Sequence, residues 1–237
     1  SNSAGANGAS IASTGSISTT AGFSIISYTG NGSSGTIAHG LGFKPDIIFT
    51  KQRSASGNNW GGYFSSLGAT KDMGINHTSG ADADASYWGN TEPTTTVFTV
   101  ANNARSNASG VTYIAYCFRD VKGYSKFSSY VGNGNVNGSY IHLGFSASFI
   151  MAKKTSGTGS WRMWDNKREG YNGDNAFVYA NLNNTEESDG TLVDFCSQGF
   201  KWRGSSQDMN GSGGTYIYMA FAETPFVTST GIPTPAR

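Results

Sequence analysis

Short apolar runs separated by turn residues follow one another from about residue 22 to about residue 226. Runs rich in Ile, Val, Tyr and Phe and bounded by Gly, Asn and Ser are typical of β-strands. No amphipathic helix of useful length is predicted. The last run of each half is apolar at both alternating positions, which predicts a central strand covered on both faces. The predicted strands of the first half lie at 23–29, 36–39, 46–52, 60–67, 96–101 and 111–119. Those of the second half lie at 125–131, 139–145, 148–154, 160–165, 192–202 and 214–222, with a further apolar patch at 176–182.

The second half of the chain repeats the first at an offset of about 102 residues, which indicates a duplicated unit. The motif Tyr28-Thr-Gly30-Asn31-Gly32 returns as Tyr130-Val-Gly132-Asn133-Gly134. Its Gly-Asn-Gly turn favours a hairpin, because Asn and Gly adopt positive φ at low cost. Further matches pair Leu41-Gly42-Phe43 with Leu143-Gly144-Phe145, Ile48 with Ile150, Lys51 with Lys153, Trp60 with Trp161, Phe98 with Phe200, and Thr112-Tyr113-Ile114 with Thr215-Tyr216-Ile217.

A unit made only of strands must bury one sheet face against another, so we predict an all-β fold of two tandem β-sandwich-like repeats. We place the repeats at residues 22–123 and 124–226 and expect them to be closely docked, because the link 121–123 is very short. Spacing leaves open whether they form separate cores or share strands. Residues 1–21 carry no hydrophobic period and predict a low-complexity extension or linker, and 227–237 predict a C-terminal tail. The chain begins with Ser1, so we expect an excerpt or processed product of something longer.

Charged residues make up 13% of the chain, against the usual quarter or so, and the formal net charge is +1. The surface is therefore expected to consist mainly of Ser, Thr, Asn and Gly. The chain contains no run of Lys or Arg that would attract phosphates, which argues against nucleic acid and anionic membranes as partners. The two cysteines, Cys117 and Cys196, lie inside apolar runs and are expected to be free and buried, without a disulfide or metal clip.

Residues that carry catalysis are sparse and scattered, so we predict no enzyme activity, no metal site and no cofactor. His39 and His142 flank the Leu-Gly-Phe motif in both halves and are interpreted as structural, hydrogen-bonded imidazoles. His77 lies in a polar loop and is assigned to the surface. Two acidic groupings are predicted to be solvated loops: Asp82 with Asp84, and Glu186 with Glu187 and Asp189.

Aromatic residues are the best candidates for ligand contact. Trp60 and Tyr63 in the first half correspond to Trp161 and Trp164 in the second. Sugar rings dock on such flat apolar surfaces while their hydroxyls need polar partners. We therefore consider a glycan site made by Trp161, Trp164, Asp165, Arg162, Trp60 and Tyr63, with the second half as the better host. The alternative is that the tryptophans pack between sheets.

The motifs also resemble a known family. These are Ser-x-Tyr-x-Gly-Asn-Gly, then His-Gly-Leu-Gly-Phe-x-Pro, then Thr-Tyr-Ile-Ala-Tyr-Cys-Phe, and the ending Gly-Gly-Thr-Tyr-Ile-Tyr-Met-Ala-Phe-Ala-Glu-x-Pro-Phe. Together they resemble the repeat of structural proteins from marine tailed bacteriophages over residues 22–226. The resemblance implies a non-enzymatic virion component, with no catalytic motif to transfer.

On this basis we expect a structural protein on the virion exterior, assembled in the host cytoplasm, in a fibre, an appendage or a head decoration. Its expected partners are other virion proteins and further copies of itself, with a trimer favoured because exposed sheet edges need covering. The alternative function is a carbohydrate-binding module that recognises a host surface glycan. Neither nucleic-acid binding nor membrane insertion is expected.

Overall fold

The computed structural model describes residues 3, 5–168, 172, 173, 175–188, 190 and 192–223. The fold is all-β, with antiparallel sheets. The chain divides into two compact units. The first unit comprises residues 1–75 and 81–120, and the second comprises residues 76–80 and 121–237. Among the described residues, no helix has the length and hydropathy that crossing a bilayer would require.

The first unit opens with a single 3-10 turn at Ala6–Gly8 and contains a one-turn helix, α1, at Ala85–Trp88. The strands of this unit are β1 (Ser13–Ser18), β2 (Phe23–Thr29), β3 (Gly35–Ala38), β4 (Ile47–Gln52), β5 (Gly61–Phe64), β6 (Lys71–Asp72), β7 (Asp82–Ala83), β8 (Val97–Val100) and β9 (Thr112–Phe118). They form a five-stranded sheet in the order β1-β2-β9-β4-β5 and two ribbons, β3-β8 and β6-β7.

The second unit is described from β10 to β18. Its strands are β10 (Ser125–Val131), β11 (Tyr140–His142), β12 (Ala147–Lys154), β13 (Arg162–Asp165), β14 (Ala176–Tyr179), β15 (Glu187–Ser188), β16 (Val193–Cys196), β17 (Gly199–Trp202) and β18 (Thr215–Ala222). They form one sheet in the order β10-β18-β12-β13-β14-β15 and a second in the order β11-β17-β16.

Each unit has its own hydrophobic core. In the first unit, alternate residues of β2 and β9 are buried, so one face of the large sheet packs inward. In the second unit, most residues of β18 are buried, as predicted for a central strand covered on both faces. For β9 the same prediction is wrong, because the residues between its buried ones are only half-buried. The cores contain Ile26, Ile37, Tyr113 and other residues in the first unit, and Trp164, Phe200, Trp202 and others in the second.

The strand ladders of the two units correspond. In the first, β9 pairs with both β2 and β4, and in the second, β18 pairs with both β10 and β12. Ile48 lies opposite Tyr63, and Ile150 lies opposite Trp164. The sequence match between Tyr63 and Trp164 therefore holds at the level of strand register. The duplication and the docking of the units stay predictions.

The assignment of residues 1–21 to an extension or linker is wrong. Strand β1 pairs with β2 over six consecutive residues, and both Ala9 and Ile11 are buried. The sequence lacked a signal because β1 is a Ser- and Thr-rich strand that exposes five of its six residues. Backbone hydrogen bonds, which need no hydrophobic period, hold it in place. The predicted tail, residues 227–237, lies outside the described residues.

The Leu41-Gly42-Phe43 and Leu143-Gly144-Phe145 motifs both have a positive φ at their glycine, but the strands before the two motifs differ in position by two residues. Ile37 lies opposite Phe98 in β8, whereas Ile141 lies opposite Phe200 in β17. Because Phe98 and Phe200 correspond, Ile37 corresponds to Ile141. The turn before β11 is thus longer than the turn before β3, and local identity alone could not show where the extra residues sit.

Candidate functional site

The aromatic platform predicted from the sequence lies inside the protein. Trp161 and Trp164 are 0% and 1% exposed, and Tyr63 is also fully buried. Trp60 is half-buried, with its ring 6.0 Å from that of Tyr116. A sugar can stack only on an aromatic face that it can reach, so the predicted glycan platform is wrong.

The second unit uses its tryptophans to build an aromatic core. The ring of Trp164 meets that of Trp202 at 5.3 Å with an interplanar angle of 66°, and it lies 5.7 Å from Phe177. Trp202 also lies 5.7 Å from Tyr130. Such edge-to-face pairs contribute about 0.5–1.5 kcal/mol beyond their burial. Packing, the alternative considered at the outset, therefore explains these residues.

The polar members of the predicted platform form ion pairs. The buried Arg162 donates from Nη2 to Asp208 Oδ2 at 3.0 Å, and its guanidinium lies 4.6 Å from the centre of the Phe177 ring. Asp165 is half-buried and accepts from Arg168 Nε at 2.7 Å. Both residues are thus engaged within the second unit.

A buried carboxylate beside β5 was not anticipated from the sequence. Asp72 accepts from the N–H of Gly62 at 2.8 Å and from Arg105 Nη1 at 3.0 Å, and its side chain has no solvent exposure. Burial raises the pKa of Asp72 to about 6, although the contacts with Gly62 and Arg105 act in the opposite direction. The carboxyl group therefore changes charge close to neutral pH.

A buried amine occupies the second unit. Lys153 on β12 is fully buried, and its Nζ donates to the carbonyl of Lys154 at 2.7 Å. Burial lowers the pKa of Lys153 to about 8, although Asp208 acts in the opposite direction. Lys51, at the matching position of β4, is only half-buried and donates to the carbonyl of Asn58.

The buried ion pairs of the two units have opposite polarity at corresponding positions. The hydroxyl of Tyr113 donates to the carbonyl of the residue before Arg105, and the hydroxyl of Tyr216 donates to the carbonyl of the residue before Asp208, each at 2.7 Å. Arg105 and Asp208 therefore each come directly after a residue whose carbonyl accepts from the corresponding tyrosine hydroxyl. Arg105 is the cation of its pair, whereas Asp208 is the anion of its pair.

The tyrosines of the repeated turn motif hold loops in place. The hydroxyl of Tyr28 donates to Ser106 O at 2.6 Å, and that of Tyr130 donates to Met209 O at 2.7 Å. A Cβ at Gly30 would collide with a carbonyl oxygen of the same loop, which explains the glycine in this turn. These groups are therefore committed to internal contacts.

Two buried asparagines complete the same arrangement. Asn107 Oδ1 accepts from the N–H of Asn31 at 2.9 Å, and Asn210 Oδ1 accepts from the N–H of Asn133 at 3.0 Å. Asn210 Nδ2 also donates to the carbonyl of Asn135 at 2.9 Å. Side-chain amides thus replace the backbone partners that these turns lack.

The two histidines that the sequence analysis paired have different environments. His39 is buried, and its Nδ1 accepts from the N–H of Leu41 at 3.2 Å. Its Nε2 lies 3.3 Å from the carbonyl oxygen of Thr94, and burial lowers the pKa of the imidazole. The structural role of His39 is confirmed. His142 is exposed on β11, so its assignment as an equivalent of His39 is wrong.

The remaining candidate groups also have structural surroundings. Cys117 is buried, which raises the pKa of its thiol to about 12, and Cys196 is half-buried; neither forms a disulfide. Asp84 accepts from the N–H of Ser86 at 2.7 Å and caps α1. Within the part of the chain that the structure describes, no group of three or more His, Cys, Asp or Glu side chains is arranged to hold a metal ion.

A groove of about 420 Å³ runs beside the start of β1. Most of its lining residues are Ser or Thr, and none of them is Asp, Glu, Lys or Arg. It is lined by Ser3, Ala12, Ser13, Thr14, Ser27, Tyr28, Thr29 and Thr112. The phenol of Tyr28 is already bonded to Ser106 O.

Comparison with known proteins yields a family. No curated protein matches the chain, and no solved structure matches it. Residues 1–225 match the model described as Domain of unknown function (DUF7483). Because this match spans nearly the whole chain, the protein belongs to the DUF7483 family.

Proposed function

We propose that the chain is a non-enzymatic structural protein on the exterior of a bacteriophage virion, in a fibre, an appendage or a head decoration. One observation carries the proposal. Three tyrosines of the motifs that resemble the phage family donate their hydroxyls to backbone carbonyls of nearby loops. They are Tyr28, Tyr130 and Tyr216. A motif used in this way supports a rigid scaffold that acts through its surface rather than through reactive groups.

The composition supports the same role. With 13% charged residues and a formal net charge of +1, contacts made by this chain should depend little on salt concentration, because there are few charges to screen. Two separate cores without disulfides suit folding in the host cytoplasm, where thiols remain reduced. The proposed partners are other virion proteins and further copies of the chain.

The test is to look for the chain in purified particles made by the virus that encodes it. We expect its peptides at a fixed ratio to the major capsid protein, and antibodies against the chain should label intact particles in electron micrographs. A chain that is abundant in infected cells but absent from purified particles would overturn the proposal.

The carbohydrate-binding alternative has one candidate surface in the second unit. Tyr140 is 49% exposed, and its ring lies 6.5 Å from that of His142 two residues along β11. Lys201 lies opposite Tyr140 and donates to the side chain of Asn137 at 2.6 Å. An exposed aromatic ring beside amide, imidazole and ammonium groups is the combination that sugars require.

A glycan array with the intact chain tests this second function. A hit should be lost in Tyr140→Ala and retained in Val136→Ala, which alters an exposed apolar residue of the neighbouring turn. An array without hits, or a hit that survives Tyr140→Ala, removes this candidate.

A further inference from the structure

Strand β1 forms an edge of the large sheet of the first unit. It pairs with β2 on one side, in an unbroken register from Ser13 opposite Tyr28 to Ser18 opposite Phe23. Within the described chain, no strand pairs with its other side. Five of its six residues are exposed, including Ile17 at 42%. Just before β1, the N–H of Ile11 donates to Thr36 O at 3.0 Å, so β3 lies beside the beginning of this edge. The accessible part of the outer edge is therefore its second half, around Gly15 and Ile17.

The backbone groups on that outer edge can be identified from the hydrogen bonds of β2. The N–H of Gly30 donates to Val111 O at 2.8 Å, in line with the β2–β9 ladder. Bonding direction alternates along a strand, so even-numbered residues of β2 face β9 and odd-numbered ones face β1. The register with β2 then makes the N–H and C=O groups of Gly15 and Ile17 point outward.

Other edges of the two large sheets carry protective features that β1 lacks. On the opposite edge of the same sheet, both backbone groups of Gly62 in β5 are bonded. Its carbonyl accepts from the N–H of Met73 at 2.9 Å, and the N–H of Gly62 donates to Asp72. In the second unit, β15 has two residues and includes Glu187, and β10 contains Lys126. Charge, shortness and covering segments are the usual protections against edge pairing. Strand β1 is longer than β15 and carries no charge, and the end of β3 covers it at its first residue, where Ser13 Oγ donates to Ala38 O at 3.3 Å.

The charge pattern indicates which partner fits this edge. Residues 1–43 contain no Asp, Glu, Lys or Arg, so β1 and its flanking residues are free of formal charge. Two copies of a charged strand related by a two-fold axis bring like charges together, which opposes pairing. Two copies of Ser-Thr-Gly-Ser-Ile-Ser meet no such penalty. We propose that β1 pairs antiparallel with β1 of a second copy of this chain and joins two sheets into one.

This inference goes beyond the proposed function, because such pairing would occur in solution whether or not the protein belongs to a virion. It also changes the expected stoichiometry. A two-fold contact between identical strands closes on itself and makes a dimer. The trimer favoured from the sequence would instead need β1 to pair with a different strand.

Substitution at Ile17 tests the edge directly. Proline removes the outward N–H of residue 17, and an edge strand tolerates proline where its N–H faces solvent. Threonine at the same position keeps that N–H and a β-branched side chain, so Ile17→Thr is the matched control. Sedimentation of the intact chain at several concentrations would measure the mass. Circular dichroism and thermal unfolding would confirm that each variant is folded.

We expect the wild-type chain and Ile17→Thr to sediment at twice the mass of one chain at high concentration, and folded Ile17→Pro to remain a monomer. Amide exchange at Gly15 and Ile17 should slow as the wild-type dimer forms. A wild-type monomer at all concentrations would overturn the proposal. So would a dimer that survives Ile17→Pro, or one lost equally in Ile17→Thr, since the contact would then lie elsewhere or depend on the isoleucine side chain.

If Ile17→Pro fails to fold, the amide exchange of wild-type protein decides the question. Protection of Gly15 and Ile17 that grows with protein concentration supports pairing through β1. Exchange at these two residues that is independent of concentration contradicts it.

Discussion

The two units place opposite charges inside closely related sheets. The first unit buries the carboxylate of Asp72 and pairs it with Arg105, whereas the second buries the amine of Lys153 and pairs Arg162 with Asp208. The ladders around these groups correspond strand by strand. The sign of the charge is reversed at Arg105 and Asp208, whereas Lys51 and Lys153 have the same sign at matching ladder positions. The position of Arg105 and Asp208 therefore accepts either sign of charge, provided that a partner of the opposite sign is close.

The largest expected effect comes from removing the partner of the more deeply buried charge. Arg105→Ala leaves the Asp72 carboxylate without its cation, and breaking a buried ion pair in this way costs about 3–5 kcal/mol. Hydrogen exchange measured by mass spectrometry should show the loss in β5 and β6. Asp208→Ala is the counterpart in the second unit and should cost less, because Asp208 is partly exposed. Equal losses in both variants would contradict the comparison.

The pH response of the first unit should follow Asp72. Its pKa is about 6 in the folded state, above the ordinary value of 3.8, so the folded chain binds a proton more tightly than the unfolded chain between these values. Protonated Asp72 therefore increases the free energy of unfolding below about pH 4, and this stabilisation is lost as pH rises through 6. A difference of about two pKa units corresponds to about 3 kcal/mol. Asp72→Asn should flatten this dependence in a series of urea unfolding curves, and an unchanged slope would refute it.

The second unit should respond in the opposite sense. The folded-state pKa of Lys153 is about 8, below the ordinary 10.5, so the unfolded chain binds more protons between these values. Stability of the second unit should therefore rise as pH increases from 8 to 10.5. We expect an effect of about 3 kcal/mol, since the difference is about 2.5 pKa units and each unit corresponds to about 1.4 kcal/mol.

Lys153→Met is the matching variant, because it keeps the unbranched chain and removes the charge. It should abolish the rise in stability above pH 8 and make the second unit more stable at pH 7. Lys51→Met alters the half-buried lysine at the corresponding ladder position and is the control. The rise should persist in Lys51→Met. Its loss in that variant as well, or its survival in Lys153→Met, would show that burial of Lys153 is not the cause.

The smallest expected effects concern a feature that the two units share. Tyr28→Phe and Tyr130→Phe each remove one hydroxyl that donates to a loop carbonyl. A hydrogen bond of this kind contributes about 0.5–1.5 kcal/mol net. The two losses should be similar, and exchange should increase in loops 103–111 and 206–214 respectively. A loss of stability in only one of the two variants would show that the corresponding hydrogen bonds do not stabilise the two units equally.

Much of the strand framework could be predicted because its signal is local. Runs of β-branched and aromatic residues gave β2, β4, β9, β12 and β18 close to their observed bounds, and the match of Tyr63 with Trp164 holds in the strand register. Strand β1 was missed because it buries almost nothing. The helix α1 was missed because one turn closed by an Asp84 cap leaves no periodic pattern.

The candidate site was predicted less well, for a reason that is also physical. A tryptophan in a sugar site and a tryptophan between sheets have the same sequence signature, and only burial separates them. Trp164 belongs to the second class because β13 turns that side chain toward Trp202 in the core. The reversed ion pairs were missed because their members come from segments far apart in sequence, such as Asp72 and Arg105.

The sequence by itself determined the all-β class, the approximate strand bounds and the turn motif, because strand alternation and turn chemistry depend on near neighbours. Only the tertiary structure decided which aromatic rings are buried, which charges face each other and which strand remains at the edge. Those properties depend on how β1, β5 and β13 are placed in their sheets. Sheet order depends on pairing between strands that are far apart in sequence, so a local sequence pattern does not show it.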